Sequence, residues 1–267
     1  MTVDPKTSYL RLRRDHWEKV HAHSRGSNLF SSVYHEHLRA MFSRTIPPRS
    51  RVLEIGCGRG DLLAALTPQF GVGIDHAISA IHKARECHTK GSQLRFMCGG
   101  ADQIPLRSGL EFDAIICSDL LNDLWDVQDF FQHLLDFSSS STRLHLNFYS
   151  HLWDFPLRLA QVSGFANPLL VQNWLTVEDV GHLLRLGGWE QIDHQTEVLV
   201  PFLRGPLGRL VNSLLAHLPF FSIGALTHVM VARPSPWLYP RFQEASVSVV
   251  IPVRNEEDCV KKTVIDV

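Results

Sequence analysis

The chain has 267 residues, 45% of them hydrophobic, which suits one α/β domain and a tail. Its 26 Lys and Arg against 27 Asp and Glu leave no basic excess, which argues against nucleic acid as a main partner. Five cysteines without a C-x-x-C pair, and histidines too scattered for a ligand set, argue against a metal site; no apolar run approaches the ~20 residues of a membrane span.

Before Ser50 the sequence predicts two helices, Tyr9–Ala22 and Leu29–Ser43, with the Leu, Trp and Phe spacing of helices that dock on a larger body. This preamble, residues 1–49, reads as a helical lid carrying Trp17, Tyr34 and His35, and Pro47-Pro48 ends it. The apolar run Arg51-Val-Leu-Glu-Ile55 predicts a buried strand. Gly56-Cys57-Gly58-Arg59-Gly60 then predicts a tight turn into a helix, Asp61–Leu66. Glycines at alternate positions let the backbone turn and lie flat against a ligand. Glu54, just before them, would repel a pyrophosphate and suits a ligand with a positive charge. The dinucleotide fingerprint G-x-G-x-x-G/A fails as well, because its third small position falls on Asp61.

Phe70–Asp75 predicts a second strand whose terminal acid faces the crevice, where a ribose presents two hydroxyls; the competing reading of Asp75 is a cap for a helix over Ala77–Cys87. Leu94–Gly99 and Phe112–Ser118 predict the third and fourth strands, and Asp126 caps a helix over Val127–Phe137. The fifth strand, Thr142–Tyr149, alternates so that His145, Asn147 and Tyr149 share one face. An aromatic-rich stretch follows, with His151, Trp153 and Asn173-Trp174. Thr176 to Asp179 predicts a reciprocally capped helix running to Leu186, and Leu226–Arg233 the last strand. Between them, Pro201 to Phe221 is apolar with Arg on one side, and reads either as a helix on the sheet edge or as a membrane-surface segment.

With these motifs the chain resembles class I S-adenosylmethionine-dependent methyltransferases of the broad type 11 kind. The resemblance implies a Rossmann-like α/β fold, a mostly parallel seven-stranded sheet with helices on both faces. It implies S-adenosylmethionine as cofactor and S-adenosylhomocysteine as product. Glu54, Gly56, Cys57, Gly58 and Gly60 would line the methionine and sulfonium, and Asp75 with His76 the ribose. Ala101, Asp102 and Gln103 would lie at the adenine, and Ser118 and Asp119 at the boundary with the substrate. Family members often read G-D-A-x-x-L-P-F after the third strand, the Asp meeting the adenine amine. This chain has Gly100 there, so Asp102 or the Ala101 backbone would stand in. Over roughly 25–234 the order of Tyr34-His35, LEIGCGRGDLL, GVGID, FDAIICSDLLNDLWDVQ, Tyr149–Trp153 and Asn173-Trp174 resembles bacterial methyltransferase domains at the front of a glycosyltransferase. Val247 to Glu257, after a proline-rich exit, resembles the opening of a family 2 glycosyltransferase. The implied organisation is a lid at 1–49, a methyltransferase domain at 50–233, a linker at 234–245 and a truncated glycosyltransferase start at 246–267. About twenty residues bury no core of their own, so that segment carries no glycosyl transfer.

Methyl transfer from a sulfonium is an in-line displacement, for which a protein supplies alignment and dryness. An oxygen acceptor also gives up a proton, a task histidine suits near neutral pH. His145, His151 and His35 are the candidates. Tyr34, Asn122, Asn147, Tyr149, Trp153, Asn173 and Trp174 are candidate acceptor-pocket residues. The leading expectation is O-methyl transfer to a small or lipid-linked acceptor, a glycan intermediate or else a quinone-like metabolite. The partners expected are that acceptor, a glycosyltransferase domain and a membrane surface met through 201–221. Reduced thiols point to the cytoplasm, at the inner face of the membrane. The alternative is a non-catalytic module that binds cofactor and regulates or positions a glycosyltransferase.

Overall fold

In the computed structural model of the chain, the described residues are 4–23, 29–90, 93–150, 154, 170, 172–197 and 227–238. Helices α1 (Pro5–His23) and α2 (Leu29–Thr45) come first. Pro5 stands at the first helical position, where its missing N–H is no loss, and the Asp4 carboxylate accepts the Thr7 N–H at 3.1 Å. A regular alternation follows: β1 (Arg51–Ile55), α3 (Asp61–Ala65), β2 (Phe70–Asp75), α4 (Ile78–His88), β3 (Leu94–Cys98) and β4 (Phe112–Ser118). Then come α5 (Val127–Leu134), β5 (Ser138–Tyr149), α6 (Val177–Leu186), β6 (Trp189–Glu197) and β7 (Thr227–Pro234).

The seven strands form one sheet in the order β3-β2-β1-β4-β5-β7-β6. Strands β1 to β5 run parallel, and β7 is antiparallel to both neighbours. From β1 the chain moves outward to β2 and β3, then returns to place β4 on the other side of β1. That reversal opens a crevice at the carboxyl ends of β1 and β4.

Each sheet face buries its own core. On one, Leu53, Ile55, Ile115, Leu144, Leu146 and Phe148 pack under α5 and α6. On the other, Val52, Ile116 and Val229 meet Tyr34, Leu38, Met41 and Phe42, the inward stripe of α2. Each such fully buried side chain contributes roughly 1.5–3 kcal/mol. The helix starts follow their caps: the Asp126 carboxylate accepts the Asp129 N–H, and Thr176 and Asp179 form a reciprocal box. Helix α1 starts at Pro5, four residues before the expected Tyr9, and two boundaries between β4 and β5 also differ from the sequence reading. Helix α5 stops at Leu134, the chain tightens into a 3₁₀ turn over Leu135–Phe137, and β5 begins at Ser138 rather than Thr142. The Ser138 hydroxyl donates to the Leu134 carbonyl and the Thr142 hydroxyl to that of Phe112, so a serine-rich stretch joins the sheet through side chains.

Tertiary contacts divide the chain into the units Met1–Ser235 and Pro236–Val267. Of the second unit only 236–238 are described, so the expected glycosyltransferase start lies outside the described residues, as do 201–221. Among the described residues no helix is long and apolar enough to cross a membrane.

Candidate active site

The turn after β1 carries positive φ at Gly56 (76°), Gly58 (51°) and Gly60 (76°), and the space where each would carry a side chain has a different owner. At Gly56 it lies against Leu120, 3.3 Å away. At Gly60 it is filled by the Phe96 ring of β3, 2.5 Å from an added Cβ, so this position has no room for a side chain. Over Gly58 there is only the His21 ring of α1, at 3.5 Å. The amides of Gly56 and Cys57 donate to the Ile74 carbonyl, that of Gly60 to the Cys57 carbonyl, and that of Gly58 to the Asp75 carboxylate at 2.8 Å. With those four amides bonded internally, the three glycines offer no donors to a pyrophosphate.

Three acids surround the turn. Glu54 is buried beneath it, where burial raises its carboxyl well above the usual range, Asp75 and Asp61 add to the rise, and the Leu63 amide opposes it. Its Oε2 has no partner among the described residues. The Asp75 carboxylate takes the amides of Gly58 and Ala77, both at 2.8 Å, so it leads into α4 as well as holding the turn. A carboxylate has about four acceptor positions, which leaves two for hydroxyl donors. Asp102 departs from its neighbours in the loop after β3: its carboxylate folds back into the space a side chain on Gly100 would fill. Cys57, by contrast, turns its sulfur down toward Gly73, and burial lifts its thiol far above the ordinary value. Cys57 therefore presents its backbone, not its side chain, at the turn. His76 is half-buried beside Asp75; Ala101 is half-buried and Gln103 exposed in the β3 loop.

Helix α1 spans the crevice from rim to rim. At one end, the Arg13 guanidinium and the Trp17 indole N–H (2.7 Å) both donate to the Asp123 carboxylate, behind β4. Tyr9 donates to the Asp123 carbonyl at 3.2 Å, and its ring carries the Arg13 guanidinium at 4.7 Å. At the other end, Glu18 accepts the Ser79 amide at the start of α4, and Lys83 donates to the His21 carbonyl. Burial lowers the His21 imidazole's proton affinity, opposed by Asp75.

The other half of the crevice is a cluster at the ends of β4 and β5. The Asp119 Oδ1 accepts Tyr34 Oη at 2.7 Å and Asn147 Nδ2 at 2.6 Å, and the Tyr149 hydroxyl also favours its ionised form. Asn147, fully buried, reaches Thr227 Oγ1 of β7 at 3.4 Å. The Tyr34 and Tyr149 rings stack at 5.9 Å. Burial lifts the Asp119 carboxyl from 3.8 to about 6, opposed by Tyr34, Asn147 and Tyr149 and reinforced by Asp123. Ser118 pairs with Asn147 across the strands.

Several sequence candidates fall elsewhere. His145 lies mid-strand in β5, 4% exposed, and burial with Arg143 pushes its imidazole down to about 4. A neutral, enclosed ring there is no proton acceptor for a crevice ligand. His35 is on the exposed side of α2, outside the cluster, its ring 5.6 Å from that of Tyr34. Asn122 and Asn173 tie to each other instead of facing an acceptor: Asn122 Nδ2 donates to the Asn173 carbonyl at 2.8 Å, and the Asn173 amide to the Asn122 carbonyl at 2.9 Å. Asn122 Oδ1 also accepts the Tyr149 amide at 3.3 Å, so it holds that residue in place. Trp174 is half-buried against the same core as Tyr34 and Tyr149. His151 and Trp153 lie outside the described residues. The sequence reading missed Arg13, Asp123 and Thr227; only the acid run Asp119, Asp123, Asp126 after β4 hinted at the first two's anchor.

Residues 52–138 match the family model of a methyltransferase domain. This stretch is similar to methyltransferase domains. Solved structures with the same fold include an S-adenosylmethionine-dependent methyltransferase of Thermotoga maritima, 14% identical with a TM-score of 0.60 over 82% of this chain and 98% of that one. Magnesium protoporphyrin IX methyltransferase of Synechocystis, solved with S-adenosylhomocysteine, is 17% identical with a TM-score of 0.53, covering 86% and 98%. A Mesorhizobium loti S-adenosylmethionine-dependent methyltransferase is 16% identical with a TM-score of 0.55, covering 77% and 99%. The search among curated proteins gives no match. The fold is thus that of class I S-adenosylmethionine-dependent methyltransferases, and a methyltransferase domain of this fold implies S-adenosylmethionine as cofactor. The residues fit that group: the amides of the three glycines are bonded within the turn, and among the described residues an acceptor oxygen of Glu54 is unused beneath it and one imidazole covers Gly58.

Proposed function

We propose that the chain is an S-adenosylmethionine-dependent methyltransferase acting on the hydroxyl of a small or lipid-linked acceptor. The observation that carries this reading is the glycine turn, its glycine amides bonded internally and its flanks lined by Glu54, Asp61 and Asp75, acids that disfavour a phosphate. In this reading Gly56, Gly58 and Gly60 shape the bed, Glu54 faces the cationic end, and Asp75 with His76 takes the ribose hydroxyls. Asp102, folded over Gly100, serves the adenine from two residues further along than in similar proteins. Bound there, S-adenosylmethionine supplies a methyl group on a sulfonium. The protein's part is to align the acceptor, exclude water and take a proton. Helix α1 covers the bed through His21 and is held at both rims by Asp123 and Ser79, which serves the second task. Tyr34, Tyr149 and Trp174 give the acceptor an aromatic wall.

A glycan acceptor at the inner face of the membrane, and a glycosyltransferase domain as covalent partner, rest on the sequence resemblance of 247–257 and the apolar stretch 201–221. Methyl label from tritiated cofactor partitioning into lipid extracts, rather than aqueous ones, is the expected result for that acceptor class. Calorimetry with S-adenosylmethionine, S-adenosylhomocysteine and NAD tests the cofactor. Micromolar binding of the first two and none of NAD is expected, and lost binding in a folded Gly58→Arg variant. NAD binding, or no binding by folded protein, rejects the reading. Cofactor binding without any product formed would favour the non-catalytic alternative.

A further inference from the structure

Asp119 combines three features that a packing residue has no use for. Its φ of 53° lies in the left-handed region, which Asp enters more readily than most residues but still at some cost. Its carboxylate is enclosed by protein atoms, yet the residue keeps part of its surface accessible. And it stands one residue before Leu120, which rests on Gly56. A strained, desolvated acid beside a ligand turn is the kind of feature that function maintains against stability.

Its surroundings aim it. Tyr34 from α2 and Asn147 from β5 donate to the carboxylate, Tyr149 stacks on Tyr34, and Thr227 of β7 steadies Asn147. Asn147 Oδ1, buried with no partner among the described residues, leaves one acceptor in the cluster unused. The charged and titratable groups facing Asp119 are Tyr34, Tyr149 and Asp123, and Asp123 is itself paired with Arg13. Two of the histidine candidates lie elsewhere: His145 is enclosed within β5 and His35 is outside the cluster.

We propose that Asp119 is the proton acceptor of this methyltransferase, with Tyr34, Tyr149 and Asn147 as positioning residues that aim its carboxylate at a hydroxyl on the acceptor. This rests on the methyltransferase reading above. The acceptor's O–H bond breaks and its proton passes to an Asp119 oxygen as the hydroxyl oxygen bonds the methyl carbon. The methyl–sulfur bond breaks with its electron pair on sulfur, leaving a neutral thioether, and Asp119 then gives the proton to solvent.

Only the sulfonium distinguishes S-adenosylmethionine from S-adenosylhomocysteine in charge, so a carboxylate at the reacting end favours the former only when ionised. Calorimetry with both ligands at about pH 5 and about pH 8 reads this. In the wild type, preference for S-adenosylmethionine is expected to rise about tenfold between these values. In Asp119→Asn the rise should shrink at least several-fold, what remains being the share of Glu54, and in Tyr34→Phe it should move to higher pH, since the phenol favours the ionised form. Release of S-adenosylhomocysteine with water as the only hydroxyl probe should be at least about tenfold slower in Asp119→Asn. A pH-independent preference in the wild type, the full rise persisting in Asp119→Asn, or equal release by the two proteins overturns the proposal. Failure of folded wild type to bind either ligand overturns the cofactor reading itself, which is a separate outcome.

Discussion

On the β1–β2 side of the crevice, the site is made by neighbours in sequence. Glu54 to Asp61 and the end of β2 form it almost entirely with backbone, and their hydrogen bonds close within the turn. On the β4–β5 side it is made by side chains from α2, β4, β5 and β7, in contacts 113 and 80 residues apart in sequence. The first half holds a ligand by shape and by acids around a bend. The second concentrates a strained carboxyl, two phenols and an amide where the fold brings distant elements together. Binding and chemistry are thus given to parts with different tolerances: the turn tolerates few residue types, whereas the cluster tolerates few geometries.

The helix joining the two halves gives the largest expected effect. The Arg13 and Asp123 side chains are 5% and 10% exposed, so Asp123→Ala leaves a buried guanidinium without its carboxylate. A loss of about 3–5 kcal/mol in urea denaturation is expected, with lost hydrogen-exchange protection in α1. Unchanged exchange would separate α1 from the crevice. The glycines come next. Gly60→Ala puts a Cβ 2.5 Å from the Phe96 ring at a φ of 76°, and about 2–4 kcal/mol of destabilisation is expected. Gly58→Ala, facing only His21 at 3.5 Å, should lose no more than about 1–2 kcal/mol. Equal losses would mean that the two positions are not divided between packing and ligand.

Asp119→Asn should go the other way. Its folded-state carboxyl is raised from 3.8 to about 6. It therefore weakens the fold progressively as pH rises from 3.8 to about 6, and fully above that. Asparagine removes the buried charge and accepts left-handed φ more readily. A gain on the order of 1–3 kcal/mol is expected at about pH 8, shrinking at about pH 4. A pH-independent stability difference would contradict the raised carboxyl. The smallest effect concerns Asp102. Asp102→Ala should leave stability unchanged and weaken S-adenosylhomocysteine about fivefold, one hydrogen bond's worth. Unchanged affinity would leave the Ala101 backbone as the adenine contact.

The division also explains what could be read from the sequence. The order of strands and helices, the two caps at Asp126 and Thr176, and the turn with Asp75 are local patterns, and each is where the periodicity put it. The face shared by His145, Asn147 and Tyr149 follows from strand alternation, but alternation carries no depth. His145 and Tyr149 lie four residues apart on one face, and only the latter reaches the crevice cluster. Asn122 and Asn173 were legible as polar residues near a strand end, not as each other's partners, because that pairing depends on how two loops meet. Arg13, Asp123 and Thr227 act through tertiary contacts that no local spacing encodes.

The most direct test of this division is S-adenosylhomocysteine affinity, measured by calorimetry in folded Gly58→Arg and Asp119→Asn side by side. The expected result is affinity lost in the first and kept within about twofold of wild type in the second, since that product carries no sulfonium. Affinity kept in Gly58→Arg and lost in Asp119→Asn would contradict the assignment of binding to one half and chemistry to the other.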